Sequence, residues 1–320
     1  MQLTTIAAAD YARDVLPHSS SVWGQGRSLD EYIEDFVAVA ASAYGKRRFR
    51  TMGLRIDGSI VVSCKRYERE IRCGERVLRA VGIGAVFTPP ELRGRGYATA
   101  MIGALLDSER TLGTDLVYLF SDIHPAFYER LGFIALPSRT ISLRADTLPA
   151  TRLAIAAVGD GDWTAIRRCF EALDSRRPIS FKRTPLVWEW LRTAARVKRV
   201  DGQRIALVVR NARNASAYVF GRRFPKLDAF ALDEYGYTGD DGFDAVAPLI
   251  RSAAGDLRRV TGWLPPDVAR PAIPRGAVKK RKNGITMIAP ISQPARAAWR
   301  RHAAAILGDD ADRCWSTDHI

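Results

Sequence analysis

"TPPELRGRGYATAMIGALL", residues 88–106, decides how this chain is read. Two prolines close a strand-like run, because proline removes donors from a ladder. Arginine and glycine then alternate from Arg93 to Gly96, and the apolar spacing of Ala98, Met101, Ile102 and Leu105 opens an amphipathic helix. Glycine tolerates positive φ and lets backbone come close to a ligand. The first N–H groups of a helix lack partners within it, and the helix dipole adds positive character there. A strand-to-helix turn of this kind cradles an anion, and Arg93 and Arg95 add charge at its rim. The local chemistry suits a pyrophosphate.

Three sequence patterns place a pyrophosphate at such a turn. A P-loop needs Gly-Lys-Ser/Thr, which is absent. A dinucleotide fingerprint needs a third glycine where Thr99 stands, and a strand that opens a βαβ unit. What remains is Arg-x-x-Gly-x-Gly/Ala, matched by Arg93, Gly96 and Ala98.

Outward from this stretch the pattern is regular. "SLDEYIEDFVAVAASAYG" (28–45) carries a serine cap, acids in its first turn and helical apolar spacing. Two β-like runs over 51–72 are joined at Asp57-Gly58, a strong hairpin signal, and "RVLRAVGIGAVFT" (76–88) extends the meander. The helix after the glycine loop runs from Tyr97 to about Leu112. "DLVYLFSD" (115–122) reads as a strand, "PAFYERLGF" (125–133) as a short helix and "RTISLRA" (139–145) as a closing strand.

The glycine loop resembles motif A of the GNAT superfamily of acetyl-CoA-dependent N-acyltransferases. "LFSDIHPAFYERLGF" (119–133) resembles that superfamily's second signature at the expected distance downstream. The resemblance covers residues from about 20 to 145 and implies acetyl-CoA as cosubstrate. It assigns Val86, Phe87 and Thr88 to the pantetheine arm and acetyl carbonyl. Arg93, Gly94, Arg95, Gly96, Tyr97, Ala98 and Thr99 take the pyrophosphate, chiefly through main-chain N–H groups. Tyr128 matches the tyrosine that protonates the departing thiolate. Ser121 stands where many members carry asparagine, and can hydrogen-bond cofactor amides with shorter reach.

The chain has 320 residues, of which 47% are hydrophobic and 26% charged, a length comfortable for two domains. After a pause near Leu148-Pro149 the second half repeats the order in weaker form: two helices, three strands over 203–237, a helix at 242–257 and strands at 258–265 and 284–291. The expected fold class is α/β (α+β), with two tandem GNAT-like domains, each a mixed, mostly antiparallel sheet flanked by helices. Residues 1–148 form the catalytic domain, 149–294 a degenerate copy, and 295–320 a C-terminal helix and tail. Where the anion loop should recur the chain reads "TGDDGFDAV" (238–246), and Asp240 and Asp241 would repel a pyrophosphate.

One active and one degenerate copy resembles the enhanced-intracellular-survival acetyltransferases without their third domain, and more loosely the tandem-fold lysine N6-acetyltransferases. In the first group the terminal carboxylate helps to activate the amine. That resemblance makes Ile320 a candidate, with Trp315 as anchor and Asp318 or His319 beside it; a fraying tail is the alternative. An alkyl amine is mostly protonated at neutral pH and needs a base. Glu34 is therefore a second candidate, with Glu31 and Asp35 on the same helix.

A net charge of +14 raises the question of nucleic acid. None of the basic clusters at 46–50, 196–199, 221–224 and 279–282 is interleaved with aromatics in a stacking-platform pattern, which favours a solvated basic surface over a nucleic-acid site. Four scattered cysteines and four scattered histidines suggest no metal and no disulfide framework. No apolar run is long enough for a membrane span, and the N-terminus lacks a signal-peptide pattern, so a cytoplasmic protein without membrane contact is expected. The expected activity is acetyl transfer to the primary amine of a small molecule or amino acid by direct attack. A protein or peptide acceptor, a non-catalytic coenzyme-A-binding protein and a nucleic-acid-associated protein are the alternatives.

Overall fold

The computed structural model describes all residues except 1, 151–152, 198–201, 212–213, 270–272 and 309–310, so the 196–199 cluster falls partly outside the described residues. The meander forms where alternation demanded it. β1 (Gln2–Ile6) pairs antiparallel with β2 (Phe49–Ile56). Asp57 and Gly58 both take positive φ, 48° and 80°, and turn β2 into β3 (Ser59–Cys73). β3 pairs with β4 (Arg76–Phe87), and β4 pairs parallel with β5 (Leu116–Ser121). Two short strands, β6 (Ile134–Ala135) and β7 (Arg139–Arg144), follow.

The second half contributes β8 (Ile155–Ala157), β9 (Ile179–Lys182), β10 (Gln203–Asn211), β11 (Asn214–Phe224) and β12 (Ala229–Tyr237). Then come β13 (Arg259–Trp263), β14 (Val278–Lys280) and β15 (Ile285–Pro290). The first sheet has the order β1-β2-β3-β4-β5-β15-β6, with β9 also pairing to β3; the second runs β8-β10-β11-β12-β13-β7-β14. The two orders superimpose position by position, including a parallel pair at the fourth and fifth strands. At the sixth position each sheet borrows from the other half: β15 enters the first sheet and β7 the second.

This corrects the reading of 139–145 as the strand that closes the first sheet. Ile141 and Leu143 alternate inward among the buried residues of the second core, whereas Met287 and Ala289 belong to the first. A cut after residue 148 would leave each sheet without its sixth strand.

Helices cover these sheets. α1 (Ala8–Asp14), α2 (Leu16–Trp23), α3 (Leu29–Ala41) and α4 (Ala43–Arg48) lie between β1 and β2. α3 starts on the capping box formed by Ser28 and Glu31. α5 (Tyr97–Thr111) connects β4 to β5 and buries Met101, Ile102, Leu105 and Leu106, each at 4% exposure or less. Burial of that kind contributes about 1.5–3 kcal/mol per side chain. α5 is also fixed by Glu109, which is 2% exposed and takes Arg66 of β3 in two bonds of 2.6 and 3.0 Å. α6 (Ala126–Glu129) carries Tyr128. In the second half, α7 (Trp163–Asp174), α8 (Pro185–Val197) and α9 (Gly239–Ala254) take the corresponding places, and α10 (Gln293–Leu307) precedes the tail.

The tail is a strap rather than a frayed end. Trp315 is 2% exposed, its ring 4.9 Å from Tyr235. Asp318 is fully buried, 3.0 Å from Arg183 and 3.5 Å from Arg69. Arg183 also meets Glu234, at 2.6 Å. Burial works against the Arg183 charge, but Asp318 and Glu234 outweigh it and hold the guanidinium above its ordinary pKa. Two arginines and two carboxylates from β3, the loop after β9, β12 and the strap thus lock the end of the chain between the sheets.

Candidate active site

The parallel ladder of β4 and β5 runs from Ala80–Leu116 to Ile83–Leu119 and no further. On β4's other side the register with β3 slips between Ser63 and Lys65: Lys65 faces Gly84, and Ser63 faces Phe87. The extra residues, Ala85 and Val86, form a bulge in which Ala85 holds φ at 48°. A non-glycine residue there costs on the order of 1–3 kcal/mol and persists only when its surroundings demand it. The bulge turns the end of β4 away from β5, and a cavity of about 610 Å³ opens at the fork.

Gly82 and Gly84 share one face of β4, and both are required by close approach. A β-carbon on Gly82 would stand 2.4 Å from Ile320 Cδ1 and 2.5 Å from the Tyr118 ring. On Gly84 it would meet the Ile320 carbonyl oxygen at 3.4 Å. The strap therefore delivers Ile320 onto the floor of the fork, alongside Val86, Phe120 and Tyr128.

Tyr128 sits on α6, is 7% exposed and packs edge-on to Phe127 and Phe133. Burial, with smaller contributions from Cys64 and Asp122, pushes its phenol up to about 12. It therefore stays protonated through the neutral range and is a donor. Cys64, opposite the bulge, is fully buried and also pushed up to about 12, chiefly by burial, so it is a protonated thiol at neutral pH.

The glycine loop follows the end of β4 and lies outside the cavity lining. Pro90–Leu92 forms a single tight turn, and Gly94 and Gly96 hold φ at 77° and 78° with open space where a β-carbon would be. Gly96 caps α5 without a side-chain bond, and the first intrahelical bond is that from the Ala100 N–H to the Gly96 carbonyl. The N–H groups of Tyr97, Ala98 and Thr99 thus face outward at a positive helix end. Arg93 and Arg95 are exposed and bond back to the carbonyls of Thr88 and Glu91. A helix end of this kind suits an anion.

Of the residues named from sequence, the cavity gathers Asp35, Val86, Tyr128, His319 and Ile320. Phe87 is buried, Thr88 half-buried, and 93–99 lie outside the cavity lining. Ser121 is 1% exposed, lies outside the cavity lining, and its hydroxyl donates to the Ile123 carbonyl. Glu34 is exposed on α3 and away from the cavity; its neighbour Asp35 lines it, 5% exposed and 2.9 Å from Arg27. The apolar series Tyr32, Phe36, Val39 would have separated the two, because residue 35 falls on that face and 34 does not. Asp318 holds the strap and does not reach the cavity, whereas His319 does, its ring 4.9 Å from Phe120 and 5.6 Å from Trp263. Lys65, Tyr67, Trp263 and Arg222 complete walls that sequence reading did not assign.

Comparison with known proteins meets this geometry at the same residues. Residues 6–135 match the family model described as an acetyltransferase (GNAT) domain. Residues 6–135 are thus similar to a GNAT acetyltransferase domain. A lysine acetyltransferase of Yarrowia lipolytica is 35% identical over 109 residues, 32% of this chain, and the chain spans 28% of that relative's length. A conserved protein of Enterococcus faecalis V583, described as a probable N-acyltransferase, aligns over 92% of this chain and 73% of its own, with a TM-score of 0.72 at 16% identity. A tandem GNAT protein of clavulanic acid biosynthesis aligns over 91% of this chain and 98% of its own, with a TM-score of 0.55 at 12% identity. At such identities the solved structures establish the fold, and that fold is the GNAT architecture in two mixed, mostly antiparallel sheets flanked by helices. No helix among the described residues is long and apolar enough to cross a membrane.

Proposed function

We propose that the protein is an acetyl-CoA-dependent N-acetyltransferase that works by direct attack of a primary amine on the thioester, without an acyl-enzyme. The observation that carries this reading is the fork itself. The strand whose end forks away leads in sequence to an uncapped helix end that suits a pyrophosphate, and Tyr128 and Ile320 line a single cavity at the fork.

In this reading the N–H groups of residues 93–99 hold the pyrophosphate. The backbone of Val86, Phe87 and Thr88, freed from regular pairing at the bulge, holds the pantetheine arm and the acetyl oxygen. The Ile320 carboxylate takes the proton from the incoming ammonium, and Asp35 and Lys65 set the charge of the opposite wall. The amine nitrogen bonds to the acetyl carbon as the carbon–sulfur bond breaks, the Tyr128 hydroxyl donates its proton to the departing thiolate, and the second amine proton, shed as the amide forms, returns to Tyr128 through solvent. Hydrogen-bond donation by a phenol near 12 stabilises that thiolate as charge develops.

The second copy binds no coenzyme A. α9 begins on a positive-φ glycine, Gly239, and like α5 has no side-chain cap, but Asp240 and Asp241 occupy its first turn. Those carboxylates already complement the helix dipole and would repel a pyrophosphate. We place the catalytic unit at 1–148, the degenerate copy at 149–294 and the strap-bearing segment at 295–320, with the exchanged strands tying the first two together. The acceptor is a small-molecule amine or an amino acid; the Yarrowia relative's description keeps a protein lysine as the alternative.

The test is thiol release from acetyl-CoA in the presence of a panel of small primary amines and of lysine-bearing peptides. Turnover by wild type that falls steeply in Tyr128→Phe supports the reading. Turnover that is indifferent to Tyr128 contradicts it.

A further inference from the structure

We propose that the amine acceptor carries a run of negative charges, carboxylates or phosphates, and that a basic cleft beside the fork holds them. This rests on the reading of the fork as the transfer site. The cleft, about 600 Å³, opens where the second sheet repeats the fork. The parallel ladder of β12 and β13 ends at Leu232–Gly262. On β12's other side Gly221 faces Leu232 and Phe220 faces Glu234, which leaves Asp233 as a bulge. Leu232, Asp233 and Gly262 all line the cleft. Arg222, Trp263 and Ser316 line both the cleft and the cavity at the fork, so the two meet at these residues.

One wall is the segment 279–282, four consecutive basic residues. Arg281 anchors it: it is buried, stacks on the Trp263 ring at 3.5 Å, donates to the Gly284 carbonyl at 2.9 Å and meets Asp312 at 3.1 Å. Lys279, Lys280 and Lys282 are exposed, and none of their side chains forms an ion pair or hydrogen bond among the described residues. The carboxylates around them are engaged elsewhere. Asp233 takes Arg222, in bonds of 3.1 and 3.0 Å, and the Ser316 hydroxyl at 3.0 Å. Asp312 takes Arg281 and the Arg139 N–H, and Asp122 takes the Gly284 N–H. Arg222 and Arg281 thus each have a carboxylate, and three lysine charges are left over on the cleft.

A lysine on an edge strand also guards it against pairing, a role open to Lys279 and Lys280 on β14. Lys282 lies beyond the strand and adds nothing to that role. Lysines are point charges on flexible stems, without the fixed fork that grips a single anion. Spread over about 10 Å of chain, they suit several charges in a row. The apolar surface of Leu232 and Trp263 beside them concentrates their field in the cleft. The amine at the other end of such a molecule would pass Trp263 and His319, whose rings stand 5.6 Å apart, to reach Ile320.

The experiment uses peptides with a single lysine, acetylated at the N-terminus and amidated at the C-terminus: Lys-Gly followed by three glutamates, three phosphoserines or three serines. Each is titrated into the full chain by calorimetry, then offered with acetyl-CoA, beside the panel of small amines, while thiol release is followed. We expect the glutamate or the phosphoserine peptide to bind about ten-fold more tightly than the serine peptide, and to lose that margin in about 0.5 M salt. Whichever of the two leads names the source of the charge. Lys279→Gln/Lys280→Gln/Lys282→Gln should abolish the margin. The charge-matched control Lys46→Gln/Arg47→Gln/Arg301→Gln alters exposed residues outside the cleft and the fork, and should keep it. Equal binding of the three peptides, a margin that outlasts the cleft lysines, or an equal loss in both variants overturns the proposal. A fall in acetyl-CoA affinity confined to the cleft variant overturns it too, by giving the lysines to the cosubstrate. A margin that depends on the cleft lysines while neither peptide nor small amine is acetylated supports the cleft and overturns the transfer reading instead.

Discussion

The carboxyl carbon of Ile320 stands 3.5 Å from the point where a β-carbon on Gly84 would be. A β-carbon there would touch the Ile320 carboxyl group and crowd the Tyr67 ring at 3.3 Å, and the last residue of the strap therefore packs directly on the strand that forks open. We predict that Gly84→Val, with two methyl groups beyond that point, displaces this contact. The measurement is kcat against acetyl-CoA affinity: kcat should fall about ten-fold or more while the dissociation constant for acetyl-CoA holds, because the pyrophosphate end of the groove is untouched. Extending the chain by two glycines after Ile320 should be more severe, lowering kcat by about 10²-fold, the usual contribution of a positioned base. An extended chain with full turnover would remove Ile320 from the mechanism.

Tyr128 lends itself to a pH experiment. Its phenol is pushed up to about 12, mainly by burial, so its proton is in place throughout the range where enzymes are assayed. Activity limited by deprotonation of the amine should rise with pH and then level off, with no alkaline fall below about pH 10 that depends on this residue. Tyr128→Phe should lower kcat by about 10²-fold at every pH and leave the shape of the profile unchanged. A falling alkaline limb that vanishes in Tyr128→Phe would mean that the phenol titrates far lower than its burial dictates.

Asp318 tests the strap by stability. Its carboxylate is fully buried between Arg183 and Arg69, so Asp318→Ala takes from buried Arg69 the carboxylate it meets and leaves Arg183 with Glu234. Breaking a buried pair by removing one partner costs about 3–5 kcal/mol, and denaturant unfolding should show a loss of that order. Turnover should fall with it, since the same residue aligns His319 and Ile320. A loss of stability below about 1 kcal/mol would mean that the tail docks without this network.

Much of this was legible in the sequence because it rests on local rules. The Ser28 cap, the Asp57-Gly58 turn and the Tyr97 helix start are written within a few residues each, and each formed where the residues called for it. Tyr128 was found because its segment, "FYERLGF", carries a signature. The exchange of β7 and β15 was not legible: alternation in "TISL" and "ITMI" says that each is a half-buried strand and nothing about which sheet it joins. The same holds for β9, too short to stand out, and for Arg222 and Trp263, which reach the fork from strands far along the chain. Asp35 was within reach, since helical spacing alone sets it on the buried face that Glu34 avoids.

The central claim is that acetyl-CoA lies along the fork with its pyrophosphate on the end of α5. Gly96 holds φ at 78° with nothing within 4 Å of where a side chain would begin, so Gly96→Glu strains that conformation and sets a carboxylate on the anion's seat. The decisive measurement is calorimetric titration of acetyl-CoA into the wild-type chain and into Gly96→Glu, with circular dichroism to verify that both are folded. The account predicts micromolar-range, one-to-one binding to the wild type and none to the variant. Equal binding to both would place the cofactor elsewhere, and no binding to the wild type would reduce the glycine loop to an ordinary turn.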